Sequence, residues 1–147
     1  MKKQAEKFFS KTEEAQILDA IRYAENETSG ELRVHVENHC KGDVLERAAI
    51  VFDLLKMQKT KLRNGVLFYL AVKDNKMAVL GDGGINAKVK DDFWDEIKTD
   101  MLTHFKQQQF AKGLTNGILK AGDQLKTHFP NQGDEDINEL PDDISYA

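Results

Sequence analysis

Between Ser10 and Asn26 the apolar residues Ile17, Leu18, Ile21 and Ala24 recur at the spacing that lines one side of an α-helix. Ser10-Lys11-Thr12-Glu13 opens the segment with a capping box, in which serine and glutamate satisfy each other's orphan backbone donors. Asn26 to Gly30 closes it. Glu31-Leu32-Arg33-Val34-His35-Val36-Glu37 then alternates strictly, which predicts a strand with Leu32, Val34 and Val36 on one face and His35 on the more polar one. Asp43-Val44-Leu45-Glu46 is a second capping-box sequence. It leads an amphipathic helix through Val44, Leu45, Ala48, Val51, Phe52 and Leu55, ending near Met57. Val66 to Val72 is a continuous apolar run suited to a central strand covered on both sides. Lys73 to Lys76 supplies a turn, and Met77 to Gly81 returns as the second arm of a hairpin. Phe93, Ile97, Met101 and Phe105 mark one further helix, and Phe110, Leu114, Ile118, Ala121 and Leu125 another.

The order helix, strand, helix, strand, strand, helix, helix predicts an α/β fold, a three-layer α/β/α sandwich with a small mixed sheet covered on both faces. The first two strands should run parallel and the last two antiparallel. Both prolines, Pro130 and Pro141, fall at the C-terminal end. This divides the chain into a domain over residues 1–130 and an acidic tail over 131–147, expected to be disordered.

Composition narrows the function. The net charge of -4 comes from the tail, which carries six acids and no base and leaves 21 bases against 19 acids before it. That near balance lacks the concentrated basic face of nucleic-acid binders, so no nucleic-acid partner is expected. The mean hydropathy of -0.56 and the absence of a long apolar run argue against membrane insertion. No signal-peptide pattern follows Met1, which points to a cytoplasmic address. Cys40 is the single cysteine, so neither an internal disulfide nor a cysteine-based zinc cage can form.

Strand direction sorts the loops by end. Glu31, Asn64 and Asp82 gather at one end of the sheet, with Asp91 and Asp92 placed to fold back toward Gly81-Asp82-Gly83-Gly84. Carboxylates around exposed carbonyls suit hard cations such as Ca²⁺ or Mg²⁺, which take oxygen ligands. The competing reading makes the glycine loop a tight turn and Asp91-Asp92 a complement to a helix dipole. Asp82 does not begin an EF-hand loop, since Ala87 stands where that loop needs glycine. The other end collects Asn38, His39, Asp43 and Asp74, a second candidate in which Asp43 serves as a cap and Asp74 as a turn residue. The basic stretch Lys56, Lys59, Lys61 and Arg63 reads as a solvated connector, and Trp94 as core packing. His104 and His128 have no partner at metal-ligand spacing.

Glu27 to Val34, Asn64 to Ala71 and Asp74 to Asn86, in that order, together with Phe110, Gly113 and Gly117-Ile118, resemble the TPM domain family of thylakoid-lumen phosphatase-like and photosystem-repair proteins and their bacterial relatives. The resemblance spans about residues 8–129 and implies an α/β/α sandwich, divalent-cation binding in acidic loops and, for some members, weak acid-phosphatase activity. By position it maps Asp74 onto the acid of the family's hairpin turn, Gly81 onto its strand-end glycine, and Asp91 or Asp92 onto the acid opening the next helix. Here Gly84-Ile85-Asn86 replaces the family's glycine–leucine–glutamate, a departure that removes a carboxylate. The expectation is therefore a divalent-cation-binding accessory or interaction module, monomeric, with an unidentified protein partner and no organic cofactor. Glu31, Asp82, Asp91 and Asp92 are its expected metal ligands. The alternative is a weak metal-assisted acid phosphatase acting on phosphomonoesters.

Overall fold

The computed structural model describes residues 5, 7–131 and 143–147. Helix α1 (Lys11–Asn26) begins at Ser10, whose side chain accepts from Glu13 N while the Glu13 carboxylate accepts from Ser10 N, so the capping box closes both ways. Strand β1 (Glu31–Glu37) follows. Helix α2 (Val44–Leu54) starts at Asp43, whose carboxylate takes the Glu46 amide. A short 3₁₀ turn (Met57–Lys59) leads to the hairpin of β2 (Gly65–Ala71) and β3 (Lys76–Gly81). The glycine loop after β3 winds into a single turn, α3 (Gly83–Asn86), capped by Asp82. Helices α4 (Phe93–Lys106) and α5 (Phe110–His128) complete the helical layer.

The sheet order is β3-β2-β1-β4, with β1 parallel to β2 and β2 antiparallel to β3, as the alternation and hairpin signals predict. The fourth strand, β4 (Ile144–Tyr146), lies within the segment expected to be a disordered tail and pairs parallel to β1. Its physical basis is visible in the contacts. Ala147 N donates to Val36 O, Tyr146 hydroxyl to Glu14, and Arg33 holds Asp143 at 2.8 Å. Residues 132–142, the rest of that expected tail, lie outside the described residues.

Two apolar layers flank the sheet. Leu32, Val34, Val36, Phe68 and Leu70 meet Ile17 and Ile21 of α1, Met101 of α4 and Leu114 and Ile118 of α5. On the opposite face Leu67, Tyr69, Ala71 and Ala78 meet Ala48, Val51 and Phe52 of α2. The polar face of β1 is not solvated: all seven of its residues are buried, Arg33, His35 and Glu37 included. Polar side chains buried this way require partners: Arg33 pairs with Asp143, His35 with Ser145 and Glu37, and Glu37 with Arg47.

Candidate functional site

At the end of the sheet where β2 begins and β3 finishes, two loops are zipped together. Arg63 O accepts from Gly84 N at 2.7 Å and from Ile85 N at 3.3 Å. Position 84 must be glycine because a Cβ there would run into the carbonyls of Leu62 and Arg63. The Asp82 carboxylate, 6% exposed, accepts from Arg63 Nε at 2.6 Å, from Arg63 Nη2 at 2.7 Å and from Gly83 N at 2.7 Å. Burial alone would push the Asp82 carboxyl up. The guanidinium and the capped amide outweigh it and hold the carboxyl below its usual range, so Asp82 is an ionised group.

Arg63, expected in a solvated connector, is therefore the counter-ion of the candidate site. Its own side chain is 55% exposed, which leaves it free to turn outward. Beside the pair lies a hollow of about 210 Å³ lined by Asp82, Arg63, Phe52, Asp53 and Gln58. Gln58 Nε2 donates to Asp53 Oδ1 at 2.7 Å, while Gln58 Oε1 is buried without a hydrogen-bond partner among the described residues. One buried carboxylate paired with an arginine, a second carboxylate and a glutamine side chain thus border one small space. Those donor types fit a hard divalent cation. Sequence spacing gave no sign of Asp53 or Gln58, because it is the packing of α2 and the 3₁₀ turn against β3 that brings them in.

The other expected ligands are placed differently. Glu31 is buried at the same end, its amide donating to Asn64 O at 3.4 Å. Asp91 and Asp92 stand exposed ahead of α4, and Asp92 makes no side-chain cap bond there. Among the described residues no three His, Cys, Asp or Glu side chains gather closely enough to hold a metal ion as a group. Asn86, at the position where a family glutamate is expected, has a bracing role. It donates to Gly81 O at 2.8 Å and accepts from Trp94 Nε1 at 2.7 Å, and a carboxylate could not supply that donor.

At the opposite end, Asp74 accepts from His39 Nδ1 at 2.9 Å and from Cys40 N at 2.7 Å, and these bonds hold its carboxyl low. Lys76 Nζ donates to the carbonyls of Cys40 and Gly42. Asp43 is occupied as the cap of α2. This end is a turn braced by its own backbone.

The network that periodicity could not show lies under β1. Glu37, 6% exposed, receives Arg47 Nε and Nη2 at 2.8 Å each, the Tyr69 hydroxyl, and His35 Nε2 at 3.0 Å. His35 Nδ1 in turn meets Ser145 Oγ of β4 at 2.9 Å. Burial would raise the Glu37 carboxyl, but its donors outweigh burial and hold it at about 2. Burial lowers His35, against the pull of Glu37, and burial with the Glu37 bond raises Tyr69. All ligating positions of Glu37 are filled by protein donors.

A small α/β/α domain with one arginine-masked acidic loop is the class this architecture defines. The TPM domain family profile matches residues 3–124, and the chain belongs to that family. It is similar to the BA42 protein of the psychrophilic bacterium Bizionia argentinensis, solved by NMR, at 51% identity over 94% of each chain and a TM-score of 0.87. Two more distant solution structures share the fold. The N-terminal domain of a protein from P. gingivalis is 18% identical, over 85% of this chain and 83% of that one, with a TM-score of 0.69. The N-terminal domain of the cg2496 protein from Corynebacterium glutamicum is 13% identical, over 89% and 81%, with a TM-score of 0.65. No curated protein matches the chain. No described helix is long and apolar enough to cross a membrane.

Proposed function

We propose that this TPM domain is a divalent-cation-binding interaction module whose cation enters at Asp82. The observation that carries the reading is the hollow beside Asp82, where a buried ionised carboxylate is neutralised by an arginine that is itself more than half exposed. Ca²⁺ or Mg²⁺ would take the place of the Arg63 guanidinium, with Asp82, Asp53 and, after a turn of its side chain, the Gln58 oxygen as protein donors and water completing the shell. Glu31 lies at the same end, whereas Asp91 and Asp92 would have to swing in from an exposed loop.

The interaction part of the reading rests on α2, the helix that supplies Asp53. Its Ile50 and Leu54, one turn apart, are 53% and 66% exposed, and Leu45 is 53% exposed. Apolar side chains left open on the helix that borders the cation hollow give a protein partner a surface whose position the cation would influence.

The test is a backbone amide titration with Ca²⁺ and then Mg²⁺ on the wild-type protein and on Asp82→Asn. Saturable shifts at residues 52–58, 63–65 and 81–86 that vanish in Asp82→Asn are expected. Shifts centred on 91–92 with Asp82 silent would move the site to the helix α4 entrance, and no saturable shifts would overturn cation binding. A phosphomonoester assay on the same samples addresses the alternative, since metal-dependent turnover lost in Asp82→Asn would make the domain a metal-assisted phosphatase.

A further inference from the structure

On the α4–α5 side, at the far end of the sheet from Asp82, a cavity of about 350 Å³ opens between the β2–β3 hairpin and the α4–α5 turn. Its walls are Phe8, Leu70, Met77, Leu102, Phe105 and Phe110. Phe8, Leu102, Phe105 and Phe110 are only partly buried, although each packs on the main core. The three rings meet edge-on or tilted, Phe8 with Phe110 at 5.0 Å and Phe105 with Phe110 at 5.3 Å. A volume of this size sits at the small end of the range of ligand sites, about 300–1,000 Å³, which are likewise mostly apolar.

The rim is polar and its free charge is positive. Lys106 is exposed at the mouth and has no ion pair among the described residues. The amide side chains of Asn75 and Gln108 stand beside it, with no bonded partner there. Helix α5 starts at Phe110, a wall residue, and Gln109 before it gives no side-chain cap, so the positive end of a 19-residue helix also stands at this rim. The nearby hairpin groups add no opposing charge. Asp74 is committed to His39 and the Cys40 amide, and Lys76, which also borders the cavity, sends its ammonium to the Cys40 and Gly42 carbonyls.

We infer that this cavity binds a small amphipathic carboxylate, a medium-length straight-chain fatty acid, with its tail among Phe8, Phe105, Phe110 and Met77 and its headgroup at Lys106. The site is separate from Asp82 and needs no cation. Tail burial should tighten binding about fourfold for each added methylene until the cavity is full. The headgroup should make the carboxylate the preferred member of an equal-length set.

The experiment is an amide titration in the presence of EDTA with hexanoate, octanoate and decanoate, then with decanol and decyltrimethylammonium, on wild type, Lys106→Gln and Asp82→Asn. Expected are saturable shifts confined to residues 70–77 and 102–113, tightening along the carboxylate series. Lys106→Gln should weaken the carboxylates about two- to fivefold and leave decanol unchanged. Asp82→Asn should bind decanoate like wild type. Affinity independent of chain length, or shifts scattered over the surface, would overturn the site. Decyltrimethylammonium binding as tightly as decanoate would overturn the choice of an anion.

Discussion

Two carboxylate–arginine pairs sit at opposite ends of the sheet, both on the α2 side. Glu37 and Arg47 share two bonds at 2.8 Å, and Asp82 and Arg63 share two at 2.6 and 2.7 Å. Both carboxylates are 6% exposed. Their surroundings separate them. Glu37 is closed in by Tyr69 and His35, so every strong acceptor position is used and the group ties β1, β2, α2 and, through His35, β4 together. Asp82 borders a hollow shared with Asp53 and Gln58, and its arginine is 55% exposed against 34% for Arg47. The same ion pair is thus a fastener where it is enclosed, and under the proposed cation binding it would be an exchangeable cover where one partner reaches water.

The largest consequence concerns the enclosed pair. Glu37→Gln removes the charge that Arg47 pairs with and turns one of the two accepting oxygens into an NH2 donor facing the donors already there, and removing one partner of a buried pair costs about 3–5 kcal/mol. Arg47 is one-third exposed and can turn toward solvent, which places the expected loss near 3 kcal/mol, measurable by urea denaturation. A value under about 1 kcal/mol would erase the contrast between the two pairs.

Acid should produce a loss of similar size without mutation. The Glu37 carboxyl is held at about 2 against an ordinary 4.5, so above about 4.5 the folded state has the full benefit of the charged form. Between 4.5 and about 2 the unfolded chain binds the proton first, and roughly 3 kcal/mol of stability is lost. His35 acts in the same direction at higher pH. Its lowered pKa keeps it neutral when folded, so stability also begins to fall as the pH drops below the ordinary histidine value of 6.5. Urea midpoints measured from pH 7 to pH 3 should decline throughout, and a flat profile would refute both assignments. The smallest stability effect in this network is Ser145→Ala, which removes the β4 bond to His35 and should cost about 1 kcal/mol, with faster amide exchange confined to residues 144–147 and 33–36.

Much of the fold was legible in the sequence because its signals are local. The Ser10–Glu13 box, the Asp43 cap, the alternation of β1 and the apolar run of β2 each declare an element from neighbouring residues alone. The alternation of β1 also misled, since Arg33, His35 and Glu37 read as a wet face. Their partners come from Asp143, Ser145, Arg47 and Tyr69, at separations no periodicity reveals. Strand β4 was hidden for a related reason. Three residues behind Pro141 and two aspartates carry too little pattern to stand out, and the strand exists because β1 offers an unpaired edge. At the candidate site, topology placed Glu31, Asn64 and Asp82 at one end correctly, as the bonds Glu31 N to Asn64 O and Asp82 N to Gly65 O attest. The involvement of Arg63, Asp53 and Gln58 depends on how α2 and the following turn pack, which is tertiary information.

The most direct test of the contrast is Ca²⁺ affinity in Arg63→Gln compared with wild type. If Arg63 is an exchangeable cover, its removal leaves Asp82 charged and uncovered. The variant should then bind Ca²⁺ more tightly, by about tenfold if the guanidinium competes with a strength of ~1.4 kcal/mol, with little change in melting temperature. Weaker binding than wild type, together with a large fall in melting temperature, would show that Arg63 fastens the loop as Arg47 fastens Glu37, and would contradict the account.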